Sequence, residues 1–287
     1  MSGYIDAVAY IIFSSIAFVF LDKLSHNVNP TMALFVLSGI ALISFNMLAF
    51  NTLKKTYQSI LHNPILFLTM SFALSMDWLF MLYATYLSDP FITMASLFIS
   101  TAFLGFFLLY QNTRLKTHLL SMALLVVSIV LLAFGYNMQR PGTVVYGVLL
   151  GAMAGVAFFV YMITSEKLSY RGKMSSIQVL ATRFWILFLG SSFFINWNEL
   201  YGTIQHYGLS LAAISIGSLV VPIYFNQQAI AKLGTAITSI LISFVPSTTY
   251  LIYALWNKNV LLENALVCII ITSALILPKF ITGKRPL

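Results

Sequence analysis

Two ionisable side chains interrupt stretches that are otherwise apolar: Asp77 in PILFLTMSFALSMDWLFMLYATYL (64–87) and Arg183 in SIQVLATRFWILFLGSSFFIN (176–196). As helices, both stretches are long enough to cross a hydrocarbon core of about 30 Å. Asp77 then lies about 20 Å from the Pro64 end, too deep for its short side chain to reach water. An ionisable group at that depth costs at least roughly 2.5–3.5 kcal/mol, so a polar cavity, a proton or a bound ligand must offset it. The chemistry on offer is a carboxylate for a cationic group or a transferable proton, beside an indole, Trp78, that can stack on a ligand. The plainer alternative is a protonated carboxyl hydrogen-bonded to a neighbouring helix. Arg183 lies about 11 Å into its own stretch, and a helical side chain leans towards the N-terminus. It is therefore expected to snorkel partway to the inner interface, either as a topology anchor or to bind an anionic group at the mouth of a cavity. A depth offset of roughly 9 Å argues against a direct Asp77–Arg183 pair.

Further polar candidates sit at the ends and breaks of other apolar stretches. Tyr224 and Asn226, followed by Gln227 and Gln228, close the stretch 209–230. They could hydrogen-bond a polar ligand in an inner vestibule or merely cap a helix in an interfacial belt. Pro222 and Pro246 each remove a backbone donor and free the carbonyl four residues earlier. With Ser239, Ser243 and Ser247 on one stretch and Ser96, Ser100 and Thr101 on another, they outline a polar seam. Gly147, Gly151 and Gly155 share one helical face, and such a ridge lets two backbones approach closely. Tyr161, Trp185, Tyr250 and Tyr253 lie inside spans, where most aromatics are expected to face lipid or core.

The elements that must carry these residues follow from composition. The 287 residues are 60% hydrophobic and only 8% charged, with a mean hydropathy of +0.93. A soluble domain carries about 25% charged residues, so the chain reads as an integral membrane protein. The net charge of +8 sits in short basic clusters between apolar stretches, a topology pattern rather than a nucleic-acid surface. Cys268 is the single cysteine, which allows no internal disulfide. The opening MSGYID lacks the basic region of a cleavable signal, so the first span is expected to be retained. No HExxH, GxSxG, DDxxD or phosphate-binding GxxxxGK[ST] pattern occurs, which disfavours an intramembrane enzyme and ATP-driven transport alike.

Ten apolar segments can be marked: about 4–21, 31–50, 64–87, 90–110, 117–135, 143–164, 176–196, 209–230, 234–256 and 261–281. The polar interruptions between them are too short to hold a soluble domain, so residues 1–287 form one membrane domain. With the N-terminus inside, eleven Lys and Arg residues fall on the inner side, while Lys23, Arg140 and Lys258 fall outside. That bias predicts two cytoplasmic termini. An offset of 145 superposes 82–101 on 227–246, matching Ala84 with Ala229, Thr93 with Thr238, and the breaks at Ser88-Asp89 and Leu233-Gly234. Five spans per half invert the second half, predicting repeats over about 4–135 and 143–281, a plan that puts a site near the midplane.

Ten spans in five-plus-five, with paired small-residue segments through Ala84–Thr101 and Gln228–Pro246, resemble the drug/metabolite transporter superfamily of EamA type. Thr182-Arg183-Phe184 is similar to the Arg-Phe often found early in the second helix of each half in that family. Thr101 stands where Pro246 stands in the other half, and no arginine of the first half matches Arg183. The resemblance implies an all-α membrane fold of ten helices in two inverted five-helix repeats. It also implies transport and names no substrate; with the residues above, the chain is expected to be a secondary transporter of a small polar or amphipathic metabolite in the inner (plasma) membrane, without a cofactor or a metal. A translocase for a lipid-linked headgroup is the alternative on the same fold. A monomer in the bilayer is expected, with a dimer as the other option.

Overall fold

The computed structural model describes residues 2–25, 28–135, 141–257 and 262–282. Arg140, Lys258, Lys284 and Arg285 of the charge count lie outside the described residues. Among those described, every regular element is helical: α1 (Ser2–Ser25), α2 (Pro30–Leu48), α3 (Leu53–His62), α4 (Pro64–Leu87), α5 (Pro90–Thr113), α6 (Lys116–Gly135) and α7 (Pro141–Arg171). After these come α8 (Ser176–Arg183), α9 (Trp185–Ser192), α10 (Trp197–Ile214), α11 (Val221–Leu233), α12 (Thr235–Ile242), α13 (Val245–Asn257) and α14 (Leu262–Thr282).

Local chemistry accounts for the helix ends. Asn29 and Asp89 cap α2 and α5, their side chains accepting from Thr31 N at 3.0 Å and Phe91 N at 2.7 Å. In each case the next residue is proline, whose missing N–H costs nothing at the first helical position. Ser175 and Gln178 form a reciprocal capping box at the start of α8. Gly234, at φ +78°, ends α11 in a conformation that only glycine adopts readily.

Eight helical stretches among the described residues are long and apolar enough to cross a membrane: Thr31–Leu48, Pro64–Leu87, Pro90–Thr113, Lys116–Phe134, Thr143–Arg171, Trp197–Leu233, Thr235–Ile252 and Leu262–Lys279. The molecule is thus an all-helical chain built as a multi-pass membrane protein would be. Of the ten apolar segments marked above, the first forms α1, whose described apolar stretch, Ser2–Phe18, is shorter. The seventh is divided at Phe184 into two eight-residue helices. Two polar interruptions turn out to be helical. Residues 53–62 form α3, which buries Thr56 and Ile60 and exposes Lys54 and Lys55. Residues 197–208 begin α10, capped by Asn196 with Glu199 in the first turn, where a negative charge suits the helix dipole.

The packing resolves into two compact units, each drawing on both halves of the sequence. The first comprises residues 1–79 and 160–234; α1 packs along α11, and α2 packs on α8, α9 and α10. The second comprises residues 80–159 and 235–287. Its core is Ile92, Ile99 and Phe106 of α5, Leu125 and Leu132 of α6, Val148 of α7, and Val267 and Ile271 of α14.

Candidate functional site

Arg183 is the last residue of α8 and exposes 0% of its surface. The expected snorkelling does not occur, because the helix stops there and packing folds the guanidinium inward. It lies over the rings of Tyr161, at 5.0 Å, and Phe184, at 4.6 Å. The break that puts it there is built from hydrogen bonds. A helix ending at Arg183 leaves its last carbonyls without intrahelical donors. The Asn46 amide of α2 supplies one, donating to Ala181 O at 2.8 Å. Asn46 is itself held by the Tyr57 hydroxyl at 2.9 Å, and Tyr57 accepts from the Trp185 indole at 3.0 Å. The partial negative charge at a helix C-terminus also favours a cation in the last turn.

From Arg183 a directed chain of bonds runs across three helices of the first unit. Its Nη1 donates to the Tyr161 hydroxyl on α7, which donates in turn to Gln227 Oε1 on α11 at 2.8 Å. Because the tyrosine proton goes to the amide oxygen, the Gln227 orientation is set, and its Nε2 has no partner. Neither have Arg183 Nε and Nη2, nor either amide atom of the wholly buried Asn226. Asp77 on α4 is 6% exposed, and its Oδ1 is also without a partner. Asp77, Arg183, Tyr161 and Tyr10 of α1 lie within electrostatic range of one another. Among the described residues no direct ion pair joins Asp77 to Arg183. Trp78 beside the aspartate is buried at 8% exposure.

The other candidates fall elsewhere. Tyr224 is half-buried, and its hydroxyl accepts from Gln228 Nε2 at 3.2 Å, one turn along α11. Just before Pro222, residues Ser215–Val220 widen into a π-type turn, in which the Val221 N–H reaches Ile216 O. Ser243 and Pro246 belong to the second unit. The buried Ser243 hydroxyl faces two main-chain carbonyls, Phe98 O at 2.8 Å and Ser239 O at 2.6 Å, so it ties α12 to α5. Pro246 stands in the first turn of α13, just after the break at Ser243-Phe244 that separates α12 from α13. The glycine ridge packs within that unit as well. A Cβ on Gly147 would meet Ser88 at 2.3 Å, one on Gly151 would meet Ser96 Oγ at 2.1 Å, and one on Gly155 would meet Leu97 O at 2.1 Å.

Sequence reasoning did not name Tyr10, named Tyr161 only among the aromatics inside spans, and ranked Gln227 below Tyr224 and Asn226. No local signal marks the first two, since an aromatic inside a span is ordinary. A signal did exist for Gln227: adjacent amides inside an apolar stretch cannot both sit at a cap.

No known family model matches the chain, and no curated protein sequence matches it. A solved structure described only as "Crystal structure of protein" is similar, with a TM-score of 0.69 at 16% identity, covering 99% of this chain and 99% of that one. At that identity the likeness is one of fold, and it extends over nearly the whole chain.

Proposed function

We propose that the protein is a secondary transporter of a small polar or amphipathic metabolite, working by alternating access between two inverted five-helix repeats. The observation that carries this reading is the unpaired polar cluster around Arg183 and Asp77 in the first unit. A buried polar atom left without a partner costs about 1–3 kcal/mol, and more when charged. Several such atoms close together are best accounted for by a ligand that completes their hydrogen bonds. The resemblance to the drug/metabolite transporter superfamily points the same way and supplies the ten-helix plan, with both termini in the cytoplasm of a cell bounded by its inner membrane. The headgroup translocase fits less well, since a lipid substrate needs lateral access and Arg183 is wholly enclosed.

The test is a thermal-shift screen of purified protein against polar and amphipathic metabolites, followed by flux of each hit into proteoliposomes. Binding stabilises by RT ln(1 + [L]/Kd), about 2.7 kcal/mol at a hundredfold excess over Kd. Stabilising ligands that also accumulate in a protein-dependent way support transport, whereas tight binding without flux for every hit counts against it.

Orientation has its own test. Glu199, Lys54 and Arg171 are all exposed. After Cys268 is replaced, a cysteine at position 199 reacts with a membrane-impermeant thiol reagent in intact cells. Cysteines at 54 and 171 react only after lysis. The reverse pattern would overturn the cytoplasmic placement of the termini.

A further inference from the structure

We propose that α3 and the turn between α7 and α8 form a docking surface for the headgroups of anionic phospholipids, with α3 lying in the headgroup layer. The inference rests on the multi-pass membrane architecture and is independent of transport. Its residues are Lys54, Lys55, Lys167, Arg171 and Lys173, all exposed and all outside the buried cluster.

The position of α3 follows from its neighbours. The apolar stretch Thr31–Leu48 ends just before it and Pro64–Leu87 starts just after it, and each is long enough to cross a membrane. The residues between them therefore lie on one side of the bilayer. At 1.5 Å per residue α3 is about 15 Å long, too short to cross. It buries Thr56 and Ile60 and turns Lys54, Lys55, Gln58 and His62 outward. Bonds on two sides fix that orientation. The Tyr57 hydroxyl donates to Asn46 Oδ1 on α2 and accepts from the Trp185 indole, while the Ser59 hydroxyl donates to Gly172 O at 3.0 Å. The second contact brings a distant basic segment alongside α3, because Arg171 and Lys173 flank Gly172. Lys55 lies one helical turn before Ser59, and Lys167 one turn before Arg171 on α7, so each pair shares a face.

Charge then selects the partner. Residues 50–65 and 167–175 hold these five cations and no Asp or Glu. Glu166, the acid next to them in sequence, has its carboxylate against the end of α11, where a Cβ on Gly234 would lie 3.4 Å from Oε1. Among the described residues none of the five side chains is ion-paired or hydrogen-bonded. A solvated basic face needs no apolar border, but this one has Phe50 and Leu61 exposed beside α3 and Tyr170 exposed beside Arg171. Apolar and aromatic side chains next to Lys and Arg match a layer in which phosphates sit above acyl chains. The basic stems can lie along the apolar border while their charged ends reach the phosphates. A soluble anion would use the cations and leave the three apolar side chains in water.

The experiment uses the full chain purified in a neutral detergent. Its Tm is read while dioleoylphosphatidylglycerol, dioleoylphosphatidylcholine or sodium phosphate is added. The anionic lipid is expected to raise Tm by about 3 °C or more at saturation, the neutral lipid clearly less at the same mole fraction, and phosphate not at all. The double variant Lys55→Gln/Arg171→Gln should need about fivefold more of the anionic lipid, or more still, for half the shift. Lys116→Gln/Lys279→Gln, which removes two exposed charges of the second unit, should need no more than the wild type. Wild-type protein in about 0.5 M sodium chloride repeats the comparison without a substitution, and there the shift should shrink as the charges are screened. Equal stabilisation by the two lipids, or a shift indifferent to salt, overturns the inference. Equal losses in the two double variants overturn it too, since they mean a diffuse attraction to net charge. Phosphate that stabilises as well as the lipid makes the patch a site for soluble anions and likewise overturns it. None of these outcomes bears on the flux measurement, which tests transport separately.

Discussion

Asp77→Asn is expected to leave a folded protein that transports at least tenfold more slowly. Asparagine keeps the size and much of the hydrogen bonding of the carboxyl while removing its charge and its proton. At an effective dielectric of about 20, two unit charges that make no direct contact attract by roughly 1–3 kcal/mol, which is the size of the attraction to Arg183 that is lost. The ionisation cost relieved at the same position is roughly 2.5–3.5 kcal/mol. The two nearly cancel, so Tm should move by only a few degrees. Any pH dependence of transport carried by this carboxyl flattens in the variant; Arg183, Tyr10 and Tyr161 are the other ionisable groups within its electrostatic range. Asp77→Leu separates the two roles of the residue. A carboxyl that only ties helices together loses its hydrogen bonds and the variant melts early, whereas a ligand or proton site gives a stable, inactive protein. Wild-type flux in Asp77→Asn with an unchanged pH profile would falsify the central role assigned here.

Gly155→Ala is expected to cost the protein a large part of its stability. The added Cβ would sit 2.1 Å from the main-chain oxygen of Leu97 and 2.9 Å from Ser100 Cβ. A carbonyl cannot swing aside as a side-chain end can, so α5 and α7 must separate. The Thr101 hydroxyl, which reaches Gly155 O at 3.2 Å, is lost from the interface with them. Forcing a methyl group into such a contact costs about 1–3 kcal/mol, a Tm lower by about 3–10 °C. Gly151→Leu should be at least as damaging, because its Cβ meets Thr93 O at 2.9 Å as well as Ser96 Oγ. Gly190→Ala is the control: nothing lies within 4 Å of the added atom, and alanine in α9 gains up to about 1 kcal/mol of helix propensity. Equal Tm values for the Gly155 and Gly190 variants, measured in the same detergent, would show that the ridge makes no close crossing.

How much of this molecule can be read from sequence depends on the range of the interaction concerned. A span is a local property: about 20 consecutive apolar residues suffice for a helix to cross a hydrocarbon core, and Pro64–Leu87 or Pro90–Thr113 meets that condition without help from any other residue. Caps are local too. Asn29-Pro30, Asp89-Pro90 and the Ser175–Gln178 box act within three residues. Averaged hydropathy blurs amphipathic helices, however, and α3 and the start of α10 therefore looked like polar loops. Their helicity comes from burying one face, Thr56 and Ile60 in α3, Leu200 in α10.

The site lies on the other side of that divide. Asp77 and Arg183 stand out in the sequence because an ionisable residue in an apolar stretch is costly wherever it points. What they face is decided by partners far along the chain. Tyr161 meets Gln227 across 66 positions, and Asn46 meets Ala181 across 135. The second of these contacts satisfies a carbonyl freed where α8 ends, and so holds Arg183 at a helix terminus instead of in mid-span. A uniform helix over 176–196 would point the guanidinium towards the interface, which is what helical geometry alone predicts. Tertiary packing instead breaks the helix at Phe184 and encloses the charge, because a bond supplied by another helix outweighs the intrahelical bond given up at the break.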